Sequence, residues 1–228
     1  MRYLQILPLT VTLIVFLVVP VALIGIVSFW DYSEFALIPD FVWTNYEELF
    51  TSKVTYTIYL ATFKFALITW CVTVVVGFTV AYFLAFHVRT LRWQIALFLL
   101  CTIPFWTSNI IRMIAWIPVL GRHGLVNQGL LAAGIVDEPQ DWLLFSDFAV
   151  VLAFVHLYSL FMVVPIFNSM MRIDRSVIEA AYDGGAGALR TVWHVILPLC
   201  KPGIAIGTIF VVTLVMGDAL SIALLESR

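Results

Sequence analysis

Charged side chains inside long apolar segments are the residues of this chain that could do chemistry at an unusual site. Asp218 lies about fifteen residues into the last apolar segment, and Arg112 and Lys64 lie within two earlier ones. A charge within a bilayer is energetically costly, so a charged residue at such a depth commonly has a function. A carboxylate at Asp218 could help a cationic solute along a polar path, which Asn109, Arg112 and Trp106 are further candidates to line. Alternatively, Asp218 pairs with Arg112 or Lys64, or bonds to backbone, and the two basic side chains extend towards the membrane surface.

No pattern for catalysis, metal binding or a prosthetic group accompanies these charges. The three cysteines form no zinc-type spacing, and the four histidines are isolated, at His87, His123, His156 and His194. A membrane haem needs two ligands at one depth, whereas His87 and His156 lie towards opposite ends of their segments. Ser159 lacks a G-x-S-x-G context, and neither H-E-x-x-H nor a P-loop occurs. We therefore predict no catalytic, metal-binding or cofactor-binding residue, and any ATP used must be bound by another polypeptide.

Composition places the chain in a membrane. Its 228 residues are 63% hydrophobic and 11% charged, with a mean hydropathy of +1.05, whereas soluble domains have about 25% charged residues. Five segments reach the length of about 20 residues that a transmembrane helix needs, at about 5–29, 56–87, 94–119, 148–171 and 203–225. The first is too long for a signal peptide and has no cleavage site, so we expect an uncleaved helix that Pro8 and Pro20 bend. The sequence predicts an all-α, polytopic protein with one transmembrane domain over residues 1–228.

The distribution of basic residues predicts the orientation of these spans. If the N-terminus is cytoplasmic, the cytoplasmic pieces hold Arg2, Arg89, Arg92, Arg172, Arg175, Arg190 and Lys201. The outer pieces then hold Asp31, Glu34, Asp40, Glu47, Glu48, Asp137, Glu138, Asp141 and Asp147. Lys and Arg near helix ends favour the cytoplasmic side, so we expect this arrangement. It places the polar stretch from Met171 to Pro202 in the cytoplasm.

That polar stretch has the pattern of two short helices joined by a turn. Ser176 could cap the first helix together with Glu179 in a capping box, and the helix would run over residues 177–182. Gly184 and Gly185 then permit the positive φ angles of a sharp turn. The second helix would run from about 188 to 195 and stop at Pro198. One of its faces, which could pack on a partner or on the membrane helices, contains Leu189, Val192, Trp193 and Ile196.

The spacing in this stretch resembles the EAA loop of the membrane subunits of ABC importers, a short helical element that docks on the ATPase. Glu179-Ala180-Ala181 is followed by Gly185-Ala186 and then by Ile196-Leu197-Pro198. The tripeptide E-A-A by itself is also common in ordinary amphipathic loops. The resemblance depends on the full spacing from Glu179 to Gly185 and on to Leu197-Pro198. The resemblance implies that coupling to the ATPase involves Glu179, Ala180, Ala181, Asp183, Gly185, Ala186, Leu189 and Pro198.

Further motifs, spread over essentially the whole chain, resemble the spermidine/putrescine-type permease family. They are Asn45-Tyr46, residues 77–82, residues 104–109 with Arg112 and Trp116, residues 124–127, residues 172–174, and Gly217-Asp218 with Leu224-Leu225. The residues between the last two pairs differ from the family pattern. The resemblance implies a MetI-like type I ABC permease fold, for which five spans are visible where the family usually has six. Gly203 and Gly207 form a G-x-x-x-G that would suit an interface with a second permease.

The resemblance also implies function, location and partners. We expect a permease subunit of an ATP-driven importer in a bacterial inner membrane. It would carry a small solute, for which the resemblance favours a polyamine such as spermidine or putrescine. Its partners would be a cytoplasmic ABC ATPase dimer that binds ATP and Mg, a second homologous permease, an extracytoplasmic solute-binding protein and membrane lipid, but no nucleic acid. Two alternatives stay open: a truncated, non-functional permease, and a membrane anchor or electron-transfer subunit.

Overall fold

The computed structural model describes residues 2–33, 36–88, 90–144 and 146–226, and they form an all-α fold. The α-helices are α1 (Arg2–Leu13), α2 (Val19–Val27), α3 (Thr44–Thr51), α4 (Lys53–Tyr82), α5 (Leu91–Thr102), α6 (Asn109–Ile114), α7 (Ile117–Leu120), α8 (Leu125–Ala132), α9 (Asp147–Met170), α10 (Arg175–Asp183), α11 (Ala188–Thr191) and α12 (Leu197–Glu226). Turns of π-helix cover Ile14–Val18, Phe83–His87 and Val192–Ile196, and 3-10 turns cover Ile103–Trp106 and Asp141–Leu143. A small antiparallel hairpin pairs β1 (Asp31–Ser33) with β2 (Ala36–Ile38), with Tyr32 opposite Leu37.

Four stretches of the described residues are long and apolar enough to cross a membrane. They are Ile6–Val27, Lys53–His87, Asp141–Met170 and Ala188–Asp218. A fifth candidate is a bent pair, Leu91–Trp106 followed by Asn109–Ala132, with an angle of 95° between its two parts. The apolar segment predicted over 94–119 is therefore divided between two helices of different direction.

The break in this third segment follows from its backbone near Pro104. Pro104 is the second residue of the 3-10 turn that follows α5, and because it has no N–H it cannot continue the α-helical hydrogen bonds. Thr107 and Ser108 then have extended backbones, with ψ of 146° and 141°, so the helical hydrogen bonds cannot continue. The chain starts again as α6, and Arg112 is carried on this short helix rather than on a straight span.

Residues 1–57 and 58–228 form two compact units. In the first, the π turn Ile14–Val18 precedes Pro20, and residues 6–26 are exposed along the whole helix. Beyond α2, the Asn45 side chain donates to the carbonyls of Ser28 (3.2 Å) and Trp30 (2.8 Å), which ties the start of α3 to the end of α2. The hydroxyls of Tyr46 and Ser28 are 2.7 Å apart and form a second tie.

In the second unit, α9 and α12 form the most extensive helix pair of the described residues, with α4 packed beside them. Met162 of α9 is fully buried. A Cβ added at Gly77 would lie 2.7 Å from Met162 Cγ, and one at Gly207 would lie 2.6 Å from Met162 Sδ. A Cβ at Gly203 would overlap the carbonyl oxygen of Pro165. Because Gly203 and Gly207 face α9 of the same chain, the prediction that they form an interface with a second permease is wrong.

Pro198 does not end the helix that contains it. The helical stretch continues from Ala188 to Glu226, with the π turn Val192–Ile196 directly before Leu197 and Pro198. A proline ring would clash with the carbonyl four residues earlier, here His194, in a regular α-helix. The wider π turn contains that carbonyl, and π turns of this kind occur at single sites within α-helices. The prediction that the second loop helix stops at Pro198 is therefore wrong, and this helix is the beginning of the last span.

Candidate coupling loop and intramembrane polar residues

Asp174, rather than Ser176, caps the first helix of the polar stretch. The backbone N–H of Ser176 donates to Asp174 Oδ1 at 3.0 Å, and α10 begins at Arg175. This backbone hydrogen bond, followed by one from the Ser176 side chain, holds the pKa of Asp174 below its usual value. A carboxylate at this position also interacts favourably with the positive end of the helix dipole. The predicted capping box of Ser176 and Glu179 is therefore wrong, because a stronger cap lies two residues earlier.

Gly185 adopts the positive φ that the sequence predicts for the turn after α10. Its φ is +80°, whereas Gly184 has a φ of −74° and needs no glycine. The N–H of Gly185 donates to Tyr182 O at 2.9 Å and that of Ala186 to Ala181 O at 3.0 Å. These two bonds form a Schellman motif, whose positive-φ position is usually glycine. Gly185 therefore fixes the direction in which the chain leaves α10.

The loop is attached to the core of the second unit by one side only. Ile178 of α10 packs against the core cluster, as do Ile173 before it and Val192 after it, and Ile196 is buried. The opposite side leaves large side chains exposed, namely Val177 (42%), Tyr182 (48%), Leu189 (73%) and Trp193 (60%). The face predicted from Leu189, Val192, Trp193 and Ile196 is thus divided between the core and the surface.

The predicted coupling residues lie together around this exposed side. Glu179, Ala180, Asp183, Gly185, Leu189 and Pro198 are exposed, and Ala181 and Ala186 are half-buried. Leu189, Trp193 and His194 line a shallow cavity that begins at Gly185. An exposed apolar surface beside acidic side chains, held on short helices, is suited to contact with another protein. The role of these residues in coupling to an ATPase stays a prediction.

Arg112 is buried against α9 and does not extend to the membrane surface. It is 7% exposed. The Nη2 atom of its guanidinium donates to Asn109 Oδ1, and the Nη1 atom lies 3.5 Å from the carbonyl oxygen of Leu157. Its Nε has no hydrogen-bond partner in the described part of the chain. The predicted path residues Asn109 and Arg112 are therefore in contact, whereas Trp106 is separate and 86% exposed.

The partner of Asp218 is a residue that sequence reasoning missed. The hydroxyl of Tyr158, which is 2% exposed, donates to the Asp218 carboxylate. Lys64 forms an ion pair with Asp147 at the start of α9. Neither alternative pairing predicted for Asp218, with Arg112 or with Lys64, is present among the described contacts. The sequence had no signal for Tyr158, since a tyrosine in an apolar helix is ordinary until the neighbouring helix is known.

Among the described residues, no three His, Cys, Asp or Glu side chains lie close enough together to hold a metal ion. The histidines have ring neighbours instead: His156 packs edge-on against Trp116, with 5.6 Å between ring centroids, and His87 stacks on Phe83 at 5.9 Å.

Known proteins similar to this chain are membrane permeases. The spermidine/putrescine transport system permease protein PotB of Escherichia coli K12 is 34% identical over 177 residues, which cover 78% of this chain and 63% of that protein. PotB of Haemophilus influenzae is 30% identical over 208 residues, which cover 90% of this chain and 71% of that protein. The chain belongs to the spermidine/putrescine-type family of ABC permeases. This family consists of transport subunits and not of enzymes.

A more distant member of the permease family gives the limits of this likeness. The inner membrane ABC transporter permease protein YdcU of Escherichia coli K12 is 26% identical over 205 residues, which cover 84% of this chain and 64% of that protein. A scan against models of protein families finds no match. The permease chain spans 63% of the length of Escherichia coli PotB. Similarity to permeases named for spermidine and putrescine confirms the family but leaves the solute of this chain untested.

Two of the motifs on which the resemblance to the permease family rests have structural roles. Asn45 and Tyr46 hold α3 to the end of α2, as described above. Asn127 is fully buried, and its Nδ2 donates to the carbonyls of Gly121 (3.0 Å) and Gln140 (3.1 Å). Its Oδ1 accepts from the N–H of Gln140 at 2.7 Å. The asparagines of both motifs hold loops in place.

Proposed function

We propose that the chain is a permease subunit of an ATP-driven importer that carries a polyamine such as spermidine or putrescine. The names of the similar PotB proteins support this class of solute. An extracytoplasmic solute-binding protein would deliver the solute, and a second homologous permease would complete the pore. The chain would lie in a bacterial inner membrane with its N-terminus in the cytoplasm, which the basic residues at 172, 175, 190 and 201 support.

The polar stretch from Arg172 to Pro202 would couple this pore to a cytoplasmic ATPase dimer. The observation that carries this proposal is the continuity of the exposed loop with the last span. The helical stretch runs without interruption from Ala188, in the loop, to Glu226. A displacement of Leu189 or Trp193 by a partner would therefore be transmitted along α12, because a helix resists bending more strongly than a loop.

ATP binding would close the ATPases and move the loop, and so open the pore towards the solute-binding protein. Glu179, Ala180, Ala181 and Asp183 on α10 would contact the ATPase. Gly185 and Ala186 would set the angle between α10 and α11. ATP and Mg would be bound by the ATPase, and this chain would hold no cofactor.

Within the membrane, Asp218 is the group that we propose for direct contact with a cationic solute. The Tyr158 hydroxyl donates to the Asp218 carboxylate, whose oxygens have further lone pairs for an ammonium group. Arg112 occupies the amide oxygen of Asn109. The solute would therefore meet Asp218 as its principal counter-charge, and Trp106 would offer an exposed ring near the break in the third segment.

The test is co-purification with a cognate ATPase in detergent, comparing the native chain with Glu179→Lys. We expect the native chain to retain the ATPase and Glu179→Lys to lose most of it, because the charge is reversed at the centre of the proposed contact. The matched control is Glu138→Lys, another exposed glutamate, which lies on the opposite side in the proposed orientation. Equal retention by all three chains would contradict the coupling assignment, and no retention by the native chain would contradict the importer assignment.

A further inference from the structure

A cavity beside Arg112 lies where α4, α5, the 3-10 turn, α6 and α9 meet. Its volume is about 210 Å³, and its polar lining includes Arg112, His156, Ser159 and Cys101. The remaining lining is apolar, with Val76 and Leu160 among its members. A water molecule takes up about 30 Å³, so the cavity has room for a small ion together with several waters.

Arg112 brings to this cavity a positive charge and an N–H donor that no described residue pairs with. Neither ion pair of the described residues includes Arg112, although Arg112 is more than nine-tenths buried. Its Nε–H has no acceptor in the described part of the chain. The Ser159 hydroxyl donates to Val155 O and forms no hydrogen bond with Arg112 Nε. The Asp218 carboxylate accepts from Tyr158 and forms no described bond with Arg112.

Within the described residues, the buried Arg112 guanidinium has no ion-pair partner of the kind that buried charges in proteins normally have. Buried ions are paired or bind a ligand of opposite charge, because the free energy of removing an isolated charge from water is large. Hydrogen bonds to Asn109 and to the Leu157 carbonyl satisfy donors of Arg112 but add no negative charge. An anion in the cavity would accept a hydrogen bond from the Nε–H of Arg112 and would also balance the charge of the guanidinium.

We propose that this cavity binds a small monovalent anion of the size of chloride, with Arg112 as its principal ligand and the ring of His156 at its edge. The proposal goes beyond the transport function, because the anion is a resident ligand and not the carried solute. Neutralising Arg112 would also lower the repulsion that a cationic solute meets beside the break in the third segment. The exposed position of His156 leaves the edge of the cavity open in this chain.

The first experiment measures the thermal unfolding of the full chain in detergent, in sodium bromide, sodium chloride and sodium gluconate at equal ionic strength. Gluconate, a large and strongly hydrated carboxylate anion, serves as the reference anion. With halide in several-fold excess over its dissociation constant, we expect the Tm to rise by roughly 2–4 °C over that in gluconate. Arg112→Gln should abolish this rise. The matched control is Arg122→Gln, which removes an exposed arginine paired with Asp141 at 3.5 Å and should keep the rise.

A second measurement does not depend on the folding of Arg112→Gln. Iodide quenches tryptophan fluorescence, and Trp116 contacts His156 at the edge of the cavity. We expect a saturable component of quenching in the native chain that Trp116→Phe removes. Equal Tm values in bromide and gluconate together with strictly linear quenching by iodide would overturn the proposal. So would a halide-dependent rise in Tm that Arg112→Gln retains in full.

Discussion

The first span and the α9–α12 pair are both strongly apolar, yet they differ completely in packing. Residues 6–26 are exposed throughout their helix, although Ile6–Val27 is the most apolar of the candidate spans. In α9, by contrast, Phe154, Met162 and Ile166 are fully buried. The difference lies in the small residues: Gly203 and Gly207 bring α12 against α9, whereas a Cβ at Gly25 of the first span would meet nothing within 4 Å. Apolarity therefore places a helix in the bilayer, and close approach of backbones selects its neighbours.

The largest effect that distinguishes the two regions is expected from replacing their glycines. Gly203→Leu should lower the free energy of unfolding by about 3 kcal/mol, because the new side chain overlaps the Pro165 backbone and the core must move apart. Gly25→Leu is the matched control and should have little effect, since space surrounds that position. Unfolding monitored by circular dichroism in detergent measures both changes. Equal destabilisation by the two variants would contradict the packing difference.

A smaller effect is expected from the polar contact between the same two helices. Tyr158→Phe removes the hydroxyl that donates to Asp218 and leaves the carboxylate without this partner. We expect a loss of about 2 kcal/mol in the free energy of unfolding, the typical cost of a buried polar group that loses its hydrogen bond. Tyr59→Phe, at an exposed tyrosine of α4, is the control. If both tyrosines can be replaced without loss, the contact does not hold α9 to α12.

The loop that joins α9 to α12 should respond to a change in its turn by about 1 kcal/mol. Gly185→Ala places a Cβ at a φ of +80°, where an L-residue is strained by roughly that amount. Gly184→Ala has an ordinary φ of −74° and should change little. Hydrogen exchange of the α10 amides measures the local opening. Faster exchange in Gly184→Ala than in Gly185→Ala would contradict the Schellman motif.

The smallest effect concerns the pH dependence of the same loop. The pKa of Asp174 is lower in the folded loop than its unfolded value of about 3.9. Its stabilising contribution is therefore fully present above the unfolded pKa and is lost as the pH falls through the lower folded pKa. Cleavage within α10 by an acid-active protease should accelerate over this range. Asp174→Asn keeps an acceptor for the cap and should remove the acceleration; an unchanged pH profile would show that Asp174 is not the cap.

The sequence predicted the loop residues better than it predicted their roles. Gly185 is predictable as a turn because few other residues adopt a positive φ, and this local rule does not depend on the rest of the fold. The sequence does not distinguish Ser176 from Asp174 as the cap, because both are good caps and only the backbone shows where α10 begins. Nor does it show that the helix continues through Pro198, because no residue pattern indicates the π turn that accommodates the proline.

By itself, the sequence determined the all-α membrane class, the approximate positions of the apolar segments and the likeness to the permease family. These properties depend on composition, local order and spacing along the chain. Only the tertiary structure decided that the third segment is bent by 95°, that Gly203 and Gly207 face α9 and that Tyr158 bonds to Asp218. It also decided that Arg112 is buried and forms no ion pair with another described residue. Each of these properties depends on which helices pack against each other. In a membrane, close backbone approach and polar pairing select the neighbours, because an apolar helix face is about as stable against lipid as against another apolar helix.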